Sequence, residues 1–188
     1  MIQKATKTFM LCFVIASFWV QSAHAQQTSE YEVKAAFLFN FIKFIEWPGN
    51  SSSETNAPIV IGVLGNDPFF NPNSSVNYLD ETIIGKTINE RKIVIRRFKK
   101  SADVGNCHLL FIGKTEEALK NILANLRGRS ILTVSEAEKF CQRGGMINFI
   151  MLEGKVRFEI NIGAAENAGL KVSSKLLKVA KIVSTEPR

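Results

Sequence analysis

The sequence contains few of the residues from which catalytic and metal sites are usually built. Its 188 residues include two histidines and three cysteines, and only His108, Cys107 and Cys141 lie beyond residue 25. Cys107 and His108 are neighbours in a predicted strand, so their side chains point to opposite faces and cannot form a nucleophile–base pair. One histidine and two distant cysteines also fall short of a zinc site. We therefore interpret His108 as a partly buried structural residue and predict no bound metal.

Phosphate-loop and hydrolase motifs are incomplete as well. Gly113–Thr115 and Gly85–Thr87 look like the end of a nucleotide-binding loop, but His108 and Asp80 stand where the motif requires its first glycine. No nucleophile elbow occurs. The two glutamates of the last predicted hairpin give little support for a glycosidase pair. These absences predict a protein that is not an enzyme and that needs no cofactor.

Long apolar runs are absent after the first 25 residues. Before that point, Lys4 and Lys7 precede an apolar run over residues 9–20, and residues 23–25 (AHA) match a cleavage site. The run is too short to span a membrane comfortably. We therefore predict a signal peptide over residues 1–25 with cleavage after Ala25. The mature chain, residues 26–188, is expected to be exported and soluble, with no transmembrane segment of its own.

Basic residues outnumber acidic ones, but they do not form a run. Removal of Lys4 and Lys7 lowers the formal charge from +7 to +5. No basic stripe with interleaved aromatic residues is present, so nucleic acid is not an expected partner. The even pair of cysteines in an exported protein favours a disulfide between Cys107 and Cys141. Two separate buried thiols are the alternative.

The first segment of the mature chain predicts a helix with an unusually wide apolar side. Residues 31–47 (YEVKAAFLFNFIKFIEW) have helical periodicity, and Pro48 and Gly49 end it. The apolar arc covers close to half the circumference, which is more than a surface helix needs. Phe39 falls in the middle of the polar side with Lys43. The helix is expected to pack in the core, or Phe39, Lys43 and Trp47 contact another chain or a ligand. The main apolar ridge consists of Val33, Phe37, Phe41 and Phe44.

The remaining chain alternates strands and helices. Four apolar segments predict strands: Ile59–Leu64, Lys92–Phe98, Cys107–Ile112 and Ser130–Val134. Helices are predicted after Asp67 and Pro68, over Thr115–Leu126, and after Ser135. The first of these helix starts could bind an anion, but we favour a simple tight turn from strand to helix. Residues 146–160 predict an antiparallel hairpin with its turn at Glu153 and Gly154. A closing helix over Ser173–Val183 follows, with a stripe of lysines on one side: Lys175, Lys178 and Lys181.

This order favours an α/β fold in a single layered domain. We expect a mixed, mostly parallel sheet flanked by helices, with a C-terminal β-hairpin and a closing helix. In the hairpin, Arg157, Glu159 and Asn161 alternate with apolar residues and share one face. They either brace the hairpin or contact a partner or ligand, and we favour bracing.

Seven segments in order resemble the YfiR-like periplasmic proteins and cover nearly the whole mature chain. They are EYEVKAAFLFNFIKFIEWP, IVIGVLGNDPF, CHLLFIG, ILTVSE, GGMINF, KVRFEINIGAA and AGLKVSSKLLKVA. The resemblance implies one compact α/β domain over residues 26–188 and a periplasmic location. In the characterised branch, the protein binds the periplasmic part of a membrane diguanylate cyclase and holds it inactive, which limits cyclic di-GMP and biofilm formation. Dimers and disulfides are associated with that branch.

The sequence and the resemblance together predict a non-enzymatic periplasmic signalling regulator. Its expected partner is an inner-membrane protein with a periplasmic domain, such as a diguanylate cyclase, and a homodimer is also implied by the resemblance. The alternative is a periplasmic small-molecule-binding module that serves a membrane histidine kinase or transporter.

Overall fold

A computed structural model describes residues 30–48, 57–115 and 117–186. The predicted signal peptide and its cleavage site after Ala25 lie outside these residues. Within them, the helices are α1 (residues 30–43), α2 (Tyr78–Ile83), α3 (Leu119–Asn125), α4 (Ile162–Asn167) and α5 (Ser174–Leu177). The strands are β1 (Ile45–Glu46), β2 (Ile59–Leu64), β3 (Phe70–Asn71), β4 (Val76–Asn77), β5 (Thr87–Ile88), β6 (Arg91–Phe98), β7 (Leu109–Ile112), β8 (Leu132–Ser135), β9 (Ile147–Leu152), β10 (Lys155–Asn161), β11 (Lys171–Val172) and β12 (Lys181–Val183).

Eight strands form one sheet in the order β12-β10-β9-β8-β7-β2-β6-β5. Its neighbouring pairs are parallel except β9 with β10 and β5 with β6. The five central strands therefore run in one direction, and their amino ends share one edge of the sheet. This arrangement confirms the predicted single α/β domain with a mixed, mostly parallel sheet flanked by helices.

Strand β2 shows why a continuous apolar segment forms a central strand of the sheet. All of its positions are buried. Ile61 and Val63 belong to the core on one face of the sheet, and Val60 and Leu64 to the core on the other. Helices α1, α2, α4 and α5 contribute to the first core, and α3 contributes to the second. A strand covered on both faces needs a continuous apolar run, which is what the sequence supplies.

Helix α1 crosses the first face of the sheet in the direction opposite to the parallel strands. Tyr31, near its start, packs edge-on against Phe69 just beyond the carboxyl end of β2. Phe41 packs against Phe158 of β10, with ring centroids 5.0 Å apart. Trp47, just beyond the helix, lies beside the amino ends of β2 and β7. The helix therefore directs the chain onto the amino edge of the sheet.

The predicted end of α1 is wrong. The helix stops at residue 43, and Ile45–Glu46 form β1, which pairs antiparallel with Lys171–Val172 of β11. The Ser173 amide then donates to the Phe44 carbonyl at 2.9 Å. A strand partner far along the chain overrides the helical periodicity of these residues. Val33, assigned to the buried ridge, is instead 41 % exposed.

No helix begins at Pro68, so the helix start at which an anion could have bound is not formed. Asp67 instead accepts from the Phe69 amide at 2.9 Å and from the Arg97 Nε at 2.7 Å. A two-stranded hairpin, β3–β4, follows, and α2 begins only after Asn77, whose side chain caps it. A carboxylate, and not the free amides of a helix start, therefore occupies this position.

Of two further predicted helices, the first is shorter than predicted and the second does not form. Helix α3 covers only Leu119–Asn125 of the predicted Thr115–Leu126. Residues 138–144 form successive turns instead of the helix predicted after Ser135. Lys139 has a φ of 54°, in the left-handed region that a right-handed helix cannot contain. Ser135 itself ends β8 and donates to the Ile112 carbonyl at 2.7 Å.

The closing helix is confirmed only in its first turn. Helix α5 covers Ser174–Leu177 and is capped by the Ser173 side chain. Lys181–Val183 then form β12, which pairs parallel with β10 at the edge of the sheet. Val179 is 65 % exposed rather than buried in the core. The predicted lysine stripe therefore spans a helix and a strand and does not follow one face.

The C-terminal hairpin is confirmed. Strands β9 and β10 pair antiparallel, with Phe149 opposite Phe158. Glu153 and Gly154 both have positive φ, at 51° and 71°, as a two-residue type I′ turn requires.

The predicted disulfide is not present, because Cys107 and Cys141 are both free and buried. The Cys107 Sγ lies 3.6 Å from the Val60 carbonyl of β2, and the Cys141 Sγ lies 3.7 Å from the Glu159 carbonyl of β10. Three strands separate β2 from β10, so these positions are about 19 Å apart. A disulfide spans far less. Burial raises the pKa of both thiols to about 12, so both remain protonated.

Candidate functional site

A polar cavity at the amino edge of the sheet is lined by two of the sequence-predicted candidates, Lys43 and Trp47. We call it the Trp47 pocket. It has a volume of about 510 Å³ and opens among β1, β2, β5, β6 and the residue before β7. Its polar and aromatic lining consists of Lys43, Glu46, Trp47, Thr87, Asn89, Arg91 and His108.

Trp47 forms one wall of the pocket and is held in place by His108. The indole Nε1 donates to the His108 carbonyl at 3.3 Å. The two rings meet edge to face, with centroids 5.7 Å apart. The early end of α1 creates this position, because the chain leaves the helix, pairs through β1 and then passes the amino end of β7. Trp47 is therefore part of a built wall rather than a freely exposed anchor.

The contacts of His108 define the tautomer of its neutral ring. Its Nδ1 lies 3.1 Å from the Val60 amide nitrogen, which can only donate. The proton of the neutral ring is therefore on Nε2. That Nε2 lies 3.1 Å from Nη2 of Arg91. Burial, with the nearby Arg91 charge, lowers the pKa of His108, which keeps the ring neutral.

One cationic side chain, Arg91, contacts this histidine, and two lysines lie over the Phe39 ring. The Arg91 Nε donates to the Ala57 carbonyl at 2.7 Å, which orients the guanidinium. Beside the pocket, the ammonium groups of Lys43 and Lys86 lie 4.0 and 4.8 Å from the centroid of the Phe39 ring. Within the part of the chain that the structure describes, none of these three cations forms a salt bridge.

The structure brings three of the sequence-predicted site residues together and separates the other three from them. Lys43 and Trp47 line the Trp47 pocket, and Phe39 contacts Lys43 beside it. Arg157, Glu159 and Asn161 lie on β10, whereas the pocket lies at the amino ends of β7, β2 and β6, three to five strand positions away, which is about 14–24 Å. The six residues do not form one site.

The three hairpin residues differ from one another. The Asn161 side chain is 2 % exposed, accepts from the Ala164 amide at 3.0 Å to cap α4, and donates to the Cys141 carbonyl and to Thr185. Glu159 is 5 % exposed and accepts from Lys181 at 2.8 Å. Arg157 is exposed. Asn161 and Glu159 are thus bonded within the domain, whereas Arg157 faces solvent.

A second groove, which we call the Lys34 groove, was not predicted. Its defining residues are Glu30, Tyr31, Lys34, Glu136, Asn148 and Glu159. Lys34 is only 3 % exposed, and its ammonium group forms salt bridges with Glu30 and Glu136. The Tyr31 hydroxyl donates to Glu136 at 3.1 Å, and burial together with Glu136 raises the pKa of Tyr31. The four-residue spacing of Glu30 and Lys34 was a readable signal, but the contact with Glu136 depends on the tertiary fold.

The described residues include no group of three histidine, cysteine, aspartate or glutamate side chains that could hold a metal ion. Among the same residues, no helix is both long and apolar enough to cross a bilayer.

Comparison with known protein families identifies the family of the chain. A family model described as YfiR/HmsC-like matches residues 31–181, which include nearly all of the elements described above. The chain belongs to the YfiR/HmsC-like family. YfiR/HmsC-like proteins are periplasmic and are known as regulators rather than as catalysts.

Proposed function

We propose that this protein is a periplasmic regulator that binds the periplasmic domain of an inner-membrane diguanylate cyclase and holds that enzyme inactive. The observation that carries the proposal is the YfiR/HmsC-like match over residues 31–181. Binding would lower cyclic di-GMP and restrain biofilm formation. The signal peptide predicted over residues 1–25 agrees with this location.

We further propose that the partner docks at the end of α1. Phe39 is half-buried, and two ammonium groups lie over its ring. Lys43 and Lys86 are exposed and form no salt bridge with another described residue, so an acidic partner surface would complement them. Of the three candidate residues in the hairpin, only Arg157 is exposed and free for a second contact, whereas Glu159 and Asn161 would brace the hairpin.

Deletion of the gene tests the regulatory role. We expect cellular cyclic di-GMP and surface-attached biomass to rise, and an exported wild-type copy to restore both. Unchanged cyclic di-GMP, with the candidate cyclases expressed, would contradict the cyclase assignment.

Charge reversal tests the docking face. Lys43→Glu should weaken co-purification with the membrane partner and raise cyclic di-GMP as deletion does. Lys120→Glu is the matched control, because Lys120 is an exposed lysine on α3, which packs on the other face of the sheet. Equal retention of the partner by both variants would place docking elsewhere.

A second candidate function is a small-molecule-binding module that serves a membrane histidine kinase or transporter. The Trp47 pocket favours it, since its volume of about 510 Å³ suits a metabolite. Co-purification of a kinase or transporter in place of a cyclase would support this assignment.

A further inference from the structure

We propose that the Trp47 pocket binds the oxyanion group, a carboxylate or a phosphate, of a small organic molecule, and that Arg91 and His108 hold this group. This inference concerns the isolated protein and does not depend on which membrane protein is its partner.

The first argument is the contact between two hydrogen-bond donors. The Val60 amide requires Nδ1 of His108 to accept, so Nε2 of the neutral ring carries the proton. The atom facing it at 3.1 Å is Nη2 of Arg91, which has only protons to offer. Neither nitrogen can accept from the other. One acceptor oxygen placed beside both would receive a hydrogen bond from each.

The second argument is the comparison with Arg97, at the opposite end of the same strand. The Nε and Nη2 of Arg97 donate to Asp67 and Asp80, both at 2.7 Å. Arg91 has a carbonyl at its Nε and an imidazole nitrogen at its Nη2. An oxyanion in the Trp47 pocket would supply Arg91 with the acceptor that the two aspartates supply to Arg97.

The third argument is the charge around the opening. Lys43 and Arg91 line the pocket, and Lys86 lies beside it over the Phe39 ring. Glu46 is the one acidic side chain among the described residues of the lining. The cations therefore outnumber the anions, and the field around the opening favours an anionic ligand over a cationic one.

The size and the walls of the pocket indicate the rest of the ligand. A volume of about 510 Å³ exceeds what an inorganic anion fills, and it lies within the range of metabolite sites. Ile42, Ile45, Ile59 and the Trp47 ring line the same pocket and would contact an apolar or planar body. The ligand class is therefore a small organic acid or an organic phosphate.

The test uses His108 as a single reporter. In the chain that begins after Ala25 it is the only histidine, provided that no histidine tag remains. Long-range proton–nitrogen NMR of the imidazole should show the Nε2–H form. We would titrate ¹⁵N-labelled protein with sodium succinate, with sodium phosphate and with phenyl phosphate, each against sodium chloride of equal ionic strength.

We expect saturable shifts of the His108 Nε2 signal with at least one of these probes. Saturation by succinate alone assigns a carboxylate ligand, and saturation by the phosphates alone assigns a phosphate ligand. Arg91→Gln should weaken the binding about tenfold or more, since it removes a charge-assisted hydrogen bond. Arg97→Gln, which removes the same charge at the other end of β6, should bind within about twofold of the wild type.

Two results would overturn the proposal. One is an imidazole signal that no probe moves beyond the chloride control. The other is a titration that Arg91→Gln leaves unchanged. Because Arg91 also bonds to Ala57, a variant that unfolds is replaced by Arg91→Lys, which keeps the charge but loses the guanidinium fork. Weakened binding in that folded variant supports the proposal, and unchanged binding contradicts it.

Discussion

The Lys34 groove and the Trp47 pocket lie at opposite ends of α1 and differ in how their charged side chains are paired. In the Lys34 groove, the buried ammonium group has two carboxylate partners, and Glu159 has Lys181. In the Trp47 pocket, Arg91 and Lys43 have no carboxylate partner among the described residues. The charges of the first region form a structural network, whereas those of the second are arranged as in a site that would bind an anion.

This difference shows why burial of a polar residue is a poor guide to function. Lys34, Glu159 and Asn161 are all nearly inaccessible, and each is bonded within the domain. The polar residues of the Trp47 pocket are only half-buried or exposed, yet Nη2 of Arg91 and Nε2 of His108 face each other with no acceptor between them. A candidate binding site is distinguished here by hydrogen-bond donors and charges that lack a partner, and not by how deeply its residues are buried.

Removing the cation from the Lys34 groove should have the largest effect. Lys34→Met keeps the volume of the stem but leaves Glu30 and Glu136 without their shared partner. We expect the free energy of unfolding to fall by about 3 kcal/mol. Lys43→Met, in the same helix with an exposed ammonium group, should change it by less than about 0.5 kcal/mol. Urea denaturation measures both, and equal losses would remove the contrast between the two regions.

Truncation of Asn161 should have the next largest effect. Asn161→Ala removes the cap of α4 and the hydrogen bonds to the Cys141 carbonyl and Thr185. The expected loss in the free energy of unfolding is about 2 kcal/mol. Arg157→Ala, at an exposed site four residues earlier in the same strand, should lose less than about 0.5 kcal/mol. Normal stability of Asn161→Ala in chemical denaturation, with impaired partner binding, would show that this residue is a contact rather than a brace.

Trp47→Phe, in the Trp47 pocket, should lower the free energy of unfolding by less than the two substitutions above. The substitution keeps an aromatic wall but removes the hydrogen bond from Nε1 to the His108 carbonyl. That carbonyl also accepts from the Leu132 amide, so it is not left unpaired. We expect a loss of about 0.5–1 kcal/mol in the free energy of unfolding. Without the predicted signal peptide, this variant contains no tryptophan, because the other one is Trp19. Circular dichroism should therefore replace fluorescence as the measure of unfolding. A loss as large as that of Lys34→Met would mean that the pocket contributes as much to the stability of the fold as the Lys34 groove does.

His108→Gln should have the smallest effect, and it should appear only in the pH dependence. The pKa of His108 in the folded chain is lowered from 6.5, so the unfolded chain binds the proton more readily. The neutral ring therefore contributes stability that is fully present above about pH 6.5 and is lost as the pH falls through the lowered folded pKa. Between about pH 7.5 and 5, the wild type should lose more stability than His108→Gln. Denaturation curves at both pH values measure the difference, and parallel losses would show that the histidine is not a source of it.

The fold class could be predicted because its signals are local. The apolar runs of β2 and β7 are short, continuous and separated by polar segments, which is typical of strands covered on both faces. The hairpin was readable from two apolar segments around Glu153 and Gly154. The short elements were misjudged because their partners are distant. Ile45–Glu46 and Lys181–Val183 continue helical periodicities and become strands only because β11 and β10 are available to pair with them.

The candidate site was predicted only in part, for a similar reason. Phe39, Lys43 and Trp47 come from one segment, and the composition of that segment drew attention to them. Arg91 and His108 come from separate strand ends, and nothing in their local sequence indicates that they meet. Cys107 and Cys141 show the reverse error, since the count of cysteines suggested a bridge that the width of the sheet prevents.

The sequence by itself determined the α/β layering, the family and the lack of a recognisable catalytic motif, because these depend on residue type and short-range spacing. Only the tertiary structure decided which charges are matched. It placed Lys34 between two carboxylates, and it placed the Nε2–H of His108 against the guanidinium of Arg91. The strength of an electrostatic contact depends on distance and burial, and those arise only when strands far apart in sequence become neighbours in the sheet.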